Sequence, residues 1–185
     1  MTNLTSVDWS TIPAPEDDGG ADHLTGTKVP SVPLPATDGT TVELSELTGT
    51  TVVYIYPRTG RPDQALPDGW DMIPGARGCT PQSCAFRDHH AELKELGVDH
   101  LFGLSVQDSD YQREAADRLH LPFPLVSDRD FRLADALSLP SFEAAGMRLL
   151  KRLTLIIRDG EIVHRFYPVF PPDRSAADVI AWLKG

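Results

Sequence analysis

Cysteine is nearly absent from this chain: among 185 residues there are two, Cys79 and Cys84. So few thiols exclude a disulfide-stapled scaffold and a four-thiolate zinc site. Lysine is scarce too, four residues against thirteen arginines, and basic residues together are outnumbered 17 to 27 by acidic ones, for a net charge of -10 and a pI near 4.9. That balance points away from nucleic acid or an anionic membrane as partner. No apolar run approaches the roughly 20 residues needed to cross a bilayer. The start Met1-Thr2-Asn3-Leu4 has neither the basic residues nor the apolar stretch of a signal peptide. The expectation is a soluble cytoplasmic protein whose thiols stay reduced unless they are turning over. Internal repeats are missing as well, and a hydrophobic content of 41% suits one domain with a true core.

What is present is concentrated around the cysteines, in Gly78-Cys79-Thr80-Pro81-Gln82-Ser83-Cys84. This segment lies where an irregular stretch gives way to a helical pattern. A helix N-terminus offers unpaired N–H groups and a partial positive charge, which stabilise the thiolate, the reactive form of cysteine. Cys79 therefore reads as a nucleophile. Residues five apart on an intact helix have Cα atoms about 8–9 Å apart, beyond the roughly 7 Å that a disulfide spans. A Cys79–Cys84 bond has to unwind the first helical turn, which suits a transient bond better than a staple. Two other chemistries stay open: a binding module carrying copper or zinc on Cys79, Cys84 and a histidine such as His89 or His90, and a disulfide oxidoreductase. The last usually relies on Cys-x-x-Cys.

Along the chain, residues 1–26 are rich in Pro, Asp, Gly and Thr and read as an extension without regular structure, with Trp9 and Ile12 as anchors. The ordered domain is expected over residues 27–185. Val32 to Leu44 forms a hairpin-like unit around Asp38-Gly39, and Thr50 to Tyr56 is a strand buried on both faces. Residues 57–78 carry four prolines, four glycines and Trp70, and are expected to be an inserted active-site loop closing over Cys79. A helix capped by Cys79 or Thr80, with Pro81 in its first turn, is predicted to run to Gly97. Next come a strand over 100–106, a helix over 109–119, a strand over 124–127 and a helix over 130–137. A hairpin at Asp159-Gly160 follows, then a final helix capped by Asp173 and bearing Ala177, Ile180 and Leu183. Strands alternating with helices imply an α/β fold with a mainly parallel sheet and an antiparallel edge. Cys79 then lies where such folds collect functional groups, at the N-terminus of a helix that follows a strand.

Several of these segments carry a resemblance. Val29-Pro30-Ser31-Val32-Pro33-Leu34-Pro35, Val52-Val53-Tyr54-Ile55-Tyr56-Pro57, Gly78 to Asp88, Leu125-Val126-Ser127-Asp128 and Arg152-Leu153-Thr154-Leu155-Ile156-Ile157, in this order, resemble the peroxiredoxins of the bacterioferritin-comigratory, or Q-type, group. The resemblance runs from about residue 27 to the C-terminus. It implies a thioredoxin-like fold with a central mixed sheet flanked by helices, and reduction of hydrogen peroxide and organic hydroperoxides without a cofactor. By motif it makes Cys79 the peroxidatic cysteine, Cys84 the resolving one and Arg152 the active-site arginine, with Arg148 as the other candidate. It implies thioredoxin or a similar dithiol as electron donor, and a monomer or homodimer. Gly78 and Thr80 complete the expected substrate pocket, with Trp70 from the loop. The chain departs from the family pattern in having Ala76 where a threonine stands three residues before the cysteine. Thr59, which opens the motif, is separated from Cys79 by the insertion, so that either the loop folds back and Thr59 still reaches the thiolate or another donor replaces it. Trp70, Ile73, Phe142 and Met147 are candidates for an apolar approach.

Overall fold

The structure is a computed structural model that describes residues 7–185, so the first six residues of the expected extension lie outside the described residues. A five-stranded sheet carries the molecule, in the order β5-β4-β3-β8-β9. Its strands are β3 (Thr50–Ile55), β4 (Val98–Ser105), β5 (Leu125–Ser127), β8 (Leu153–Arg158) and β9 (Glu161–Phe166). β3 pairs parallel with β4 and β4 with β5, while β3 pairs antiparallel with β8 and β8 with β9. The sheet is thus evenly mixed, not mainly parallel, because the Asp159-Gly160 hairpin joins against β3 with two full strands.

The alternation of a strand divides the core in two. Val53, Ile55, Phe102, Leu104, Leu155 and Ile157 face one side, where α4 (Arg132–Leu137) and Ala21 and Leu24 of the N-terminal segment cover them. Val52, Tyr54, Leu101 and Ile156 face the other, under α1 (Cys79–Asp88), α2 (His90–Glu95) and α5 (Ser175–Leu183). The segment before residue 27 is therefore part of the packed body. It has a 3-10 turn at Trp9–Thr11, and Ile12 is buried as an anchor should be. Two short strands, β1 (Leu34–Pro35) and β2 (Thr41–Val42), pair antiparallel around Asp38-Gly39 as predicted. The helix read over 109–119 is α3, Ser109–Arg118, and Asp108 caps it by accepting from the Tyr111 N–H.

Four local readings are corrected. The predicted helix to Gly97 is divided at His89, whose ψ of 7° breaks the regular helix into α1 and α2. Its N-cap is Gly78, with no side-chain cap bond, so neither Cys79 nor Thr80 caps it. Asp173 does not cap the last helix, because a 3-10 turn at Pro172–Arg174 moves the helix start to Ser175; Ala176, not Ala177, is then on the buried face with Val179 and Ile180. Finally, β6 (Ser141–Ala144) and β7 (Met147–Leu150) form an antiparallel hairpin where no element is predicted.

The topology decides which residues meet. β8 runs antiparallel to β3 with Ile55 opposite Leu153. The exit of β3 into residues 57–78 and the entry of β8 at Arg152 therefore share one end of the sheet. α1 is set at that end by Tyr54, whose ring stacks on Phe86 at 4.5 Å between centroids and whose hydroxyl bonds Ser83 Oγ at 3.0 Å. Gly103 of the adjacent strand makes this possible, since a Cβ there would stand 2.7 Å from the Tyr54 hydroxyl.

Candidate active site

Gly78 turns the chain into α1 with φ 112°, in the region where a side chain is strained. Pro172 and Trp9 pack against it so closely that a Cβ would lie 2.5 and 2.8 Å from their atoms. The turn delivers Cys79 to the first helical position, where it is 4% exposed and its thiol is free.

Arg152, immediately before β8, meets it there. The guanidinium is 3% exposed, and its Nη2 donates to Cys79 Sγ at 3.1 Å. The same nitrogen lies 3.2 Å from the carbonyl oxygens of Gly75, Ala76 and Arg77. It has two N–H bonds for these four acceptors, so more negative charge at the sulfur competes directly with the carbonyls for the donor. Nη1 is held by Gln82 Oε1 at 2.5 Å, and Gln82 in turn donates to Ser175 Oγ at 3.3 Å, itself 3.2 Å from Thr154 Oγ1. Gln82 and Ser175 are not among the residues singled out from sequence. What marks Gln82 in the sequence is its place three residues after Cys79, one turn along the same helix.

The other expected residues divide. Gly78, Thr80 and Trp70 line a cavity of about 540 Å³ that also contains Cys79. Residues of the 57–78 segment, Gly60, Arg61, Pro62 and Leu66 among them, form one of its walls. Thr59 does not reach the thiol: its amide and hydroxyl both go to Gln107 Oε1, at 3.0 and 3.3 Å. The hydroxyl three residues before the cysteine has no substitute at Ala76, whose carbonyl oxygen is instead 3.8 Å from Cys79 Sγ. Arg148 is elsewhere, paired with Asp135 at 2.7 Å and stacked over Phe131. Ile73, Phe142 and Met147 pack around Trp70 in a satellite core and do not line the Cys79 cavity. Cys84 is half-buried on α1, and burial pushes its thiol pKa up. Among the described residues no three His, Cys, Asp or Glu side chains gather as metal ligands, and no helix is long and apolar enough to cross a membrane.

The inserted segment is docked on α3. Arg118 Nη2 donates to the Gly60 carbonyl at 2.9 Å, the Tyr111 hydroxyl donates to Gln64 Oε1 at 3.3 Å, and the Arg61 guanidinium carbon lies 4.1 Å from the Tyr111 ring centre. A 3-10 turn at Trp70–Met72 then buries Trp70 to 3% exposure against Ala76 and Leu149.

The Redoxin family model matches residues 24–180. The chain is 32% identical over 164 residues to Peroxiredoxin Bcp of Escherichia coli, covering 86% of this chain and 94% of that protein. It is 29% identical over 156 residues to Peroxiredoxin Bcp of Bacillus subtilis, covering 82% and 89%. The crystal structure of peroxidoxin BcpB from Mycobacterium tuberculosis superposes with a TM-score of 0.70 at 26% identity, over 88% of this chain and 97% of that one. With its thioredoxin-like fold and these relatives, the chain belongs to the Redoxin family as a Q-type peroxiredoxin, an oxidoreductase.

Proposed function

We propose that Cys79 is the peroxidatic cysteine, that Cys84 resolves its sulfenic acid, and that Arg152 stabilises the Cys79 thiolate and the departing peroxide oxyanion. The observation that carries this reading is the buried Arg152 Nη2 held 3.1 Å from Cys79 Sγ at the start of α1. The thiolate attacks one oxygen of a hydroperoxide. An S–O bond forms, the O–O bond breaks, and the departing oxygen takes a proton to leave as water or an alcohol, with Cys79 oxidised to sulfenic acid. In this reading Arg152 stabilises the oxyanion as it develops, with Nη2 held between the thiol sulfur and three backbone carbonyls.

Cys84 closes the cycle. Its thiolate attacks the sulfenic sulfur, an S–S bond forms and water leaves. α1 must open between the two sulfurs for this to happen, since an intact helix holds the Cα atoms about 8–9 Å apart. A dithiol protein of the thioredoxin kind then reduces the disulfide by exchange. We place this cycle in the cytoplasm, in a monomer or homodimer, with residues 57–78 covering the Cys79 cavity as a lid. The metal-binding alternative is disfavoured because the described residues bring no third ligand to the two thiols.

Stopped-flow peroxide consumption by the wild type and Cys79→Ser tests the reading. The serine variant is expected to fold and to lose the reaction; a substantial remaining second-order rate removes Cys79 from the mechanism.

A further inference from the structure

The side of α1 that carries Cys84 is tied at both ends to the C-terminus of α3. Thr80, Cys84 and Arg87 follow one another at spacings of four and three, which places them on one side of the helix. At the near end, Thr80 lies on the wall of the Cys79 cavity together with Arg118, the last residue of α3. At the far end, Arg87 Nη1 donates to the Leu119 carbonyl at 2.8 Å, one residue beyond Arg118. Cys84 is bracketed by these two contacts, so Arg118 belongs to the surroundings of both cysteines. The ionisable groups whose charge reaches Cys84 are Arg87 and Asp88 of α1, Arg118 of α3 and the Tyr54 hydroxyl of β3. Arg87 and Asp88 pair with each other at 3.0 Å, and burial keeps Tyr54 neutral. Arg118 is differently placed. It shares Glu114 with Arg61, at 2.7 and 3.9 Å, so two guanidiniums face one carboxylate and a positive charge is left over.

Resolution needs a Cys84 thiolate at a place where burial disfavours one. We propose that Arg118 is a positioning residue for the resolving step: its guanidinium, fixed on Glu114 and on the Gly60 carbonyl, holds positive charge beside Cys84 and favours the thiolate that attacks Cys79. The inference rests on the reading of Cys84 as the resolving cysteine. In that step the Cys84 sulfur attacks the sulfenic sulfur of Cys79, the S–S bond forms and the S–O bond breaks. The hydroxide leaves with a proton as water; Cys84 is oxidised and the sulfenic sulfur reduced. Glu114 sets how much of the charge is free to act. The Gly60 carbonyl ties the same cation to the inserted segment, so that segment and the resolving thiol have one guanidinium in common.

The test mixes the full-length protein with one equivalent of hydrogen peroxide. Quenched alkylation and peptide mapping then follow formation of the Cys79–Cys84 disulfide across a pH series. Arg118→Gln is expected to slow this step roughly threefold at neutral pH and to move the rise of its pH profile upward, a modest size because half-buried charges stay partly screened by water. Arg118→Lys, which keeps the charge, is expected to restore most of the rate. Glu114→Gln breaks the same ion pair but leaves Arg118 uncompensated, so its profile is expected to move to lower pH and the step to quicken at neutral pH. A purely structural role for the pair would slow both glutamine variants alike. Profiles that coincide with wild type, or that shift in one direction for both variants, overturn the inference and leave Cys84 as the resolving cysteine. Absence of any Cys79–Cys84 disulfide in the wild type overturns that reading and the inference with it.

Discussion

Position 78 leaves no room for a side chain, and the reason lies in three distant pieces of sequence. Trp9, Pro172 and the strained φ of 112° meet at the residue that aims Cys79. Gly78→Ala is expected to lower stability by about 2 kcal/mol or more, the usual size for a strained backbone plus a core clash. It should also slow peroxide reduction; urea midpoints and stopped-flow rates check the two effects, and an unchanged midpoint contradicts the packing described. Arg152→Ala is expected to slow oxidation of Cys79 by roughly 10²–10³, the scale for losing one positioned donor to a developing oxyanion. Equal rates in wild type and variant would remove Arg152 from the reaction. For Cys84 the expectation is a pH profile. Burial raises its pKa, so at neutral pH little of it is thiolate, and disulfide formation should accelerate with each rise in pH until that raised value is passed. A flat profile for disulfide formation between pH 6 and 8, followed by quench and peptide mapping, contradicts it. At this scale the meeting of Cys79 and Arg152 is legible in the sequence because each stands in a contiguous motif. Which alternative holds for Thr59 has no local sign, because its partner, Gln107, comes from a loop 48 residues away. Gln82 was overlooked for a similar reason: its two partners, Arg152 and Ser175, lie 70 and 93 residues further on.

Elements were readable in proportion to how local their causes are. The hairpin of β8 and β9 announces itself by Asp159-Gly160, both at positive φ. That of β6 and β7 makes its turn with Ala145-Gly146, also both at positive φ, a pair whose alanine carries no such signal. The start of α5 was displaced because Asp173 serves the N-terminal segment instead of the helix, accepting from Trp9 Nε1 at 3.0 Å. That segment acts as a strap. Trp9 lies on Gly78 and edge-on to Phe170, Pro15 touches the space beside Gly75, and Asp18 binds both Lys151 at 2.8 Å and the Tyr167 hydroxyl at 2.7 Å. Opening of the first turn of α1 must work against it. Trp9→Ala is therefore expected to speed formation of the Cys79–Cys84 disulfide severalfold after peroxide and to raise amide exchange over residues 80–86; exchange identical to wild type refutes the strap. The strap also has a pH sense. Lys151 and the Tyr167 hydroxyl hold the Asp18 carboxyl well below the usual carboxylate range. A depressed carboxylate pKa contributes stability at pH values above the ordinary value, lost as pH falls below about 4. Asp18 is exposed, so solvent screening limits the effect.

In the whole molecule, one antiparallel hairpin laid against a parallel pair gives the site its place. Had β8 run parallel to β3, Arg152 would enter the sheet at the end opposite Cys79. This order is not visible in a list of strands, since β8 follows β3 by nearly a hundred residues and four α-helices before pairing with it. What the sequence did carry at this scale was the alternation of strands with helices and the apolar run of β3, enough for the fold class and too little for the even mixture of pairings. The inserted segment is ordered for whole-molecule reasons as well, through α3, and no local pattern over residues 57–78 announces it. The three tryptophans are distributed unequally in this frame. Trp9 touches Gly78 and Trp70 lines the Cys79 cavity, whereas Trp182 lies on the far side of α5, stacked on His164 at 4.9 Å. Intrinsic fluorescence is thus a built-in optical reporter on the start of α1 that needs no dye: two indoles lie beside it, and the third, stacked on His164, lies apart from it.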